Sequence, residues 1–145
     1  MLFIVKKVMS ETSKKGTKGL ANVIADLSNK DYFPFLPLAD INLIDLVVAN
    51  ENMDLKKIQV KYRSIKNGKI EIPTESVVNG KKISLDIDKI DLWAVYCPDN
   101  KNVYYVSSKE LKNKKTLTLR VESKQKQKTV HYAENYLDIK NAWNK

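Results

Sequence analysis

Two neighbouring segments constrain this chain more than any other feature. Residues 43–49 (LIDLVVA) form an apolar run of strand length, broken by one charge, Asp45. Residues 57–64 (KIQVKYRS) alternate: Ile58, Val60 and Tyr62 fall on one side, and Gln59, Lys61 and Arg63 on the other. Side chains of a strand repeat every two residues, so this segment has an apolar face and a polar face. Between the two lies Asn-Glu-Asn-Met-Asp (50–54), which is turn chemistry. The pattern predicts neighbouring antiparallel strands of a hairpin.

The rest of the chain arranges itself around that pair. Leu20, Val23, Ile24 and Leu27 follow the i, i+3, i+4, i+7 spacing of a helix with one buried face, ending near residues 28–31. The polar, basic residues 10–19 read as a loop or helix lead-in. Pro34 and Pro37 make residues 32–38 an edge strand or extended segment. Residues 90–97 (IDLWAVYC) and 103–106 (VYYV) are a third and a fourth core strand, joined by a turn at 98–100. Ser107 or Ser108 caps a short helix, residues 117–121 suggest a short strand, and residues 133–136 begin a terminal helical turn. Asn67-Gly68 and Asn79-Gly80 are turn dipeptides, so residues 65–82 read as hairpins or a projecting loop. Tyr32, Phe33, Phe35, Trp93, Tyr96, Tyr104 and Tyr105 sit inside strands and are expected in the core, while Trp143 suggests a subunit contact. The expected class is α+β, a central sheet flanked by helices, in a single domain spanning the 145 residues.

Composition narrows the chemistry. The one cysteine, Cys97, excludes an intramolecular disulfide, and with the single histidine, His131, it cannot assemble a four-ligand zinc site. A Ser-His-Asp or Cys-His hydrolase would rest on His131 alone, which has no nucleophile motif beside it. The first eight residues meet Lys6 and Lys7 too early for a signal peptide, and no run approaches the ~20 apolar residues of a membrane helix, so a soluble cytoplasmic protein is expected. The excess of 26 Lys+Arg over 17 Asp+Glu, formally +9, favours a polyanionic partner such as nucleic acid.

Asp45 and the pair Gln59 and Lys61, two apart on one face, would converge if the hairpin register brings Asp45 to that face. A carboxylate and an amide oxygen bind a hard cation, and an adjacent lysine can orient water or neutralise charge on a phosphorane. Asp45 could equally be a solvated strand-end residue, and Gln59 and Lys61 the wet face of a half-exposed strand.

Several pieces together resemble bacterial PD-(D/E)XK endonucleases, above all the group I intron-encoded homing endonuclease of this fold. They are Lys15-Gly16, Val23-Ile24-Ala25-Asp26-Leu27, Pro37, Ile44-Asp45-Leu46-Val47-Val48 and Ile58-Gln59-Val60-Lys61-Tyr62-Arg63, with Leu119-Arg120-Val121 and Ala133-Glu134-Asn135-Tyr136 near the C-terminus. The resemblance implies a restriction-endonuclease-like mixed sheet and a site-specific double-strand DNA endonuclease using Mg2+ or another divalent cation. It implies that Asp45 and Gln59 hold the metal, that Lys61 is the lysine of the motif, and that the protein is a homo-oligomer, a tetramer. Leu20 stands where the family places a glutamate. That departure implies weaker metal binding and a catalytically impaired chain, although by periodicity Leu20 simply continues the helix stripe.

Two basic stretches are the expected DNA contacts. Arg63, Lys66, Lys69, Lys81 and Lys82 lie in or beside a hairpin region at 64–85; Lys124, Gln125, Lys126 and Lys128 lie near the C-terminus. A junction-resolvase-like nuclease and a non-catalytic DNA-binding domain are the competing readings.

Overall fold

Ser10 opens helix α1 (Glu11–Asn29) by accepting a hydrogen bond from the Ser13 backbone N–H at 3.2 Å, with Glu11 in the first turn where the helix dipole favours negative charge. The helix thus starts well before the apolar stripe. Its first turns are solvent-exposed, so no apolar periodicity marked them, and the expected lead-in is helix. In the computed structural model, which describes residues 9–41, 43–122 and 127–145, α1 is followed by β1 (Phe33–Phe35), β2 (Leu46–Ala49), β3 (Leu55–Tyr62), β4 (Lys69–Pro73), β5 (Glu75–Val78) and β6 (Lys81–Ser84). Then come β7 (Leu92–Cys97), β8 (Asn102–Ser107), α2 (Ser108–Leu111), β9 (Thr116–Arg120), a 3-10 turn at Ala133–Tyr136 and α3 (Ile139–Trp143).

Five strands form the central sheet in the order β1-β2-β3-β7-β8. β2 and β3 are the expected antiparallel hairpin, and β3 runs parallel to β7, so the sheet is mixed. Period-2 alternation then builds a core on each face. Leu46, Val48, Ile58, Leu92, Ala94 and Tyr96 meet Val23 and Leu27 of α1 and Ile139 and Ala142 of α3. Trp93, Val95, Cys97, Tyr104 and Val106 meet Ile70 and Ile72 of β4 and Leu117 and Leu119 of β9. β4 and β9 pair with each other as a separate two-stranded layer. The segment after β3 is therefore divided. Lys69–Pro73 covers the sheet, and only β5 and β6, turned at Asn79-Gly80 with φ of 51° and 77°, form an exposed local hairpin.

Trp93, Tyr96, Tyr104 and Tyr105 are buried as expected, but Phe33 and Phe35 are each 49% exposed. They lie on the edge strand, where no further strand covers their faces. Trp143 is half-buried and packs on Tyr32 of its own chain, with ring centroids 5.4 Å apart. Among the described residues no helix is long and apolar enough to cross a membrane.

Candidate active site

The site forms where β2 leaves β3. Leu46 pairs with Ile58, so beyond Ile58 strand β3 continues without a β2 partner. Asp45 fills the first vacant positions. Its N–H donates to the Ile58 carbonyl at 2.9 Å, and its Oδ2 accepts from the Val60 N–H at 2.7 Å and from Gln59 Nε2 at 3.0 Å. The carboxylate thus takes the place of a strand carbonyl while holding Gln59. Gln59 pairs with Trp93 and Lys61 with Val95, which puts both on the β4/β9 side of the sheet. Lys61 Nζ lies 5.6 Å from the centre of the Trp93 ring. The structure therefore gathers Asp45, Gln59 and Lys61 into one neighbourhood.

Burial dominates the electrostatics. It pushes the Asp45 carboxyl above the ordinary carboxylate range, against the Val60 hydrogen bond and the Lys61 charge, which pull down; Asp40 adds to the rise. Burial likewise lowers the Lys61 ammonium, helped by Arg63 and opposed by Asp45. Both groups have been drawn toward neutrality, as at sites that handle protons.

The donor set fits a hard cation, but thinly. Gln59 is buried, and its Oε1 has no hydrogen-bond partner, an uncompensated oxygen beside the Asp45 carboxylate. Both Asp45 side-chain contacts end on Oδ2, so Oδ1 and Gln59 Oε1 are the oxygens that could take a metal. No group of three or more His, Cys, Asp or Glu among the described residues is placed to hold one.

A cleft of about 450 Å3 opens along the free end of β3, lined by Lys61, Arg63, Lys66 and Lys69 and, from α1, by Thr12, Lys15 and Gly16. Asp45 and Gln59 do not line it; Lys61 joins cleft to carboxylate. Arg63 is oriented by a bond from Nε to the Glu71 carbonyl, 2.8 Å. Thr12, Lys15 and Gly16 were missed as site residues. They lie on the exposed first turns of α1, which no apolar periodicity marks; the available signal was Lys15-Gly16 among the pieces that carry the family resemblance.

The other expected residues lie elsewhere. Leu20, half-buried, packs against the core on the α1 side of the sheet, the side that also holds Val60 and Tyr62. Lys81 and Lys82 are exposed on β6 and do not line the cleft. Lys128 is exposed in the turn before His131. Lys124, Gln125 and Lys126 lie outside the described residues.

Comparison with known proteins places this geometry in context. The model of the family described as PD-(D/E)XK endonuclease matches residues 10–139. Among solved structures, the chain is similar to a bacterial homing endonuclease, I-Ssp6803I, with a TM-score of 0.68 at 18% identity, covering 88% of each chain. At that identity the likeness establishes the fold, which is restriction-endonuclease-like. No curated protein matches the sequence.

Proposed function

The chain belongs to the PD-(D/E)XK endonuclease family, and from that premise we propose that it is a site-specific, homing-type double-strand DNA endonuclease that works with Mg2+ as a tetramer. The observation that carries the nuclease part of this reading is the meeting of Asp45, Gln59 and Lys61 where β3 loses its partner, next to a cleft with five cationic side chains, Lys15, Lys61, Arg63, Lys66 and Lys69; the homing type and the tetramer follow the family resemblance alone. Asp45 Oδ1 and Gln59 Oε1 would hold the cation. A bound divalent ion supplies Lewis acidity and a water of lowered pKa. Lys61, already drawn toward neutrality, would orient that water or neutralise charge growing on the phosphate. Arg63, Lys66 and Lys69 would seat the backbone, with Glu71 the one carboxylate in the cleft lining.

The lone carboxylate of the metal set favours a second reading, in which the chain binds DNA and cleaves it poorly or not at all. Leu20, the position of the family glutamate, is the residue to which we assign this impairment. The test is cleavage of plasmid and linear duplex with Mg2+ by the native chain, Leu20→Glu and Lys61→Ala. Slow native cleavage, accelerated by Leu20→Glu and abolished by Lys61→Ala, is expected. A folded Leu20→Glu protein that binds duplex but cleaves no faster refutes the impairment. Duplex binding with no cleavage by any form leaves a binding domain.

A further inference from the structure

Strand pairing puts two cations face to face at the margin of the active cleft. Lys69 of β4 and Arg120 of β9 are direct cross-strand partners in the antiparallel layer. Directly opposed like charges destabilise a sheet unless something between them compensates. Among the described residues neither has an ion-pair partner. Arg120 nevertheless sits on fixed backbone: its N–H donates to the His131 carbonyl at 2.8 Å, and the next N–H, of Val121, donates to the Gly68 carbonyl at 2.9 Å. Around the pair lies a cleft of about 380 Å3, lined by Lys69, Lys114, Arg120 and His131 with the hydroxyls of Thr118 and Thr129. No carboxylate lines it; the acidic residue of this face, Glu71, is opposite Thr118 and lines the active cleft instead. Lys69 also lines the active cleft, so the two clefts meet at that residue.

We propose that the outer face of β4 and β9 is a second contact for duplex DNA, in which Lys69, Arg120 and Lys114 hold backbone phosphates of the strand that leaves the active cleft, with the threonine hydroxyls as neutral donors. The inference rests on the DNA reading above and extends it. A phosphate between Lys69 and Arg120 supplies the negative charge their pairing lacks. Arginine, lysine and hydroxyl side chains are the usual phosphate donors, and they fix the position of the protein on the duplex without reading sequence.

The experiment is equilibrium binding of a fluorescent mixed-sequence duplex in chelator, across a salt series. It compares the native chain, Arg120→Gln/Lys114→Gln, Arg120→Lys/Lys114→Gln and a cleft variant, Arg63→Gln/Lys66→Gln, each checked by its melting curve. Each lost phosphate contact flattens the log–log salt slope by about 0.9 and weakens binding on the order of tenfold near 0.1 M salt. Arg120→Gln/Lys114→Gln should therefore lose about 1.8 of slope, and Arg120→Lys/Lys114→Gln about half of that. Thr116→Glu, at an exposed position of the same cleft opposite Pro73, adds a negative charge to this face without removing a proposed contact and should weaken binding even if the double variant unfolds. Native slope and affinity in these β9-face variants, with weakened binding in the cleft variant, overturn the second contact and leave the nuclease reading standing. Failure of the native chain to bind duplex overturns both.

Discussion

Asp45→Asn separates a functional carboxylate from a structural one. In the native chain Oδ2 accepts two hydrogen bonds, from Val60 N–H and Gln59 Nε2, while Gln59 Oε1 is buried and unpaired. An asparagine can keep the Val60 bond with its carbonyl and, once the Gln59 amide turns over, donate its own NH2 to Oε1. Exchanging two charge-assisted bonds for two neutral ones loses roughly 2 kcal/mol, and the turned amide leaves Nε2 unpaired where Oε1 was, so nothing is recovered there. Against that loss stands the removal of a charge whose burial costs on the order of several kcal/mol. The net expectation at neutral pH is stabilisation by about 1–3 kcal/mol, a melting point higher by roughly 2–4 °C per kcal/mol. The pH dependence follows from the raised folded-state pKa. The native form holds its proton more tightly than the unfolded chain, so the Asp45 contribution is fully present below the unfolded carboxyl pKa and is lost as pH rises through the folded one. In melting curves recorded in chelator, Asp45→Asn should melt above the native chain near pH 8, with the gap closing near pH 4, while cleavage is lost. A variant that melts below the native chain at both pH values would show that the two bonds outweigh the burial cost. Asp45 would then be a strand-end staple.

Two further outcomes follow from the same geometry. Lys61→Met keeps an unbranched side chain but removes the ammonium that lies over the Trp93 ring; single-turnover cleavage should fall on the order of 10²- to 10³-fold with duplex affinity changed less than tenfold. Ser10→Ala removes the cap of α1 and should cost about 1 kcal/mol in thermal melts; by fraying the turns that carry Thr12, Lys15 and Gly16 it should also weaken duplex binding.

What the sequence revealed was whatever short-range periodicity controls. The NENMD turn joins β2 to β3, and with Leu46 opposite Ile58 the period of two carries Asp45 to the Gln59 face; from sequence that convergence was a condition on the register, with a solvated strand end as the alternative. The pairing of β4 with β9 is different. Ile70 and Ile72 alternate much like residues of an exposed hairpin, and nothing local reveals that Leu117 and Leu119, far along the chain, complete their layer. That long-range pairing moved Lys69 to the cleft while Lys81 and Lys82 went to a separate hairpin, although all three looked like one basic stretch. It also created the Lys69–Arg120 opposition, which no sequence pattern marks. Phe33 and Phe35 misled for a related reason: an apolar strand reads alike whether or not another layer covers it.

Gln59 shows how such a site can exist in a folded protein without its cation. Its Nε2 lies 3.0 Å from Asp45 Oδ2. A glutamate there would set two carboxylates against each other, a repulsion of about 4 kcal/mol at 4 Å for an effective dielectric near 20, or it would force one to stay protonated. The amide turns that repulsion into a hydrogen bond and leaves one unpaired oxygen as the cost. It also leaves the Asp45–Gln59 pair itself with one carboxylate beside Lys61, with Asp40 in electrostatic reach, which is a thin acidic set for a bare divalent cation. On the proposed reading, DNA therefore supplies part of the metal site. Phosphate oxygens drawn into the cationic cleft bring the negative charge that a second acidic side chain would otherwise provide, and Asp45 Oδ1 with Gln59 Oε1 then completes a ligand set too weak to hold a cation alone. Metal affinity in this chain should accordingly be a property of the DNA complex more than of the free protein.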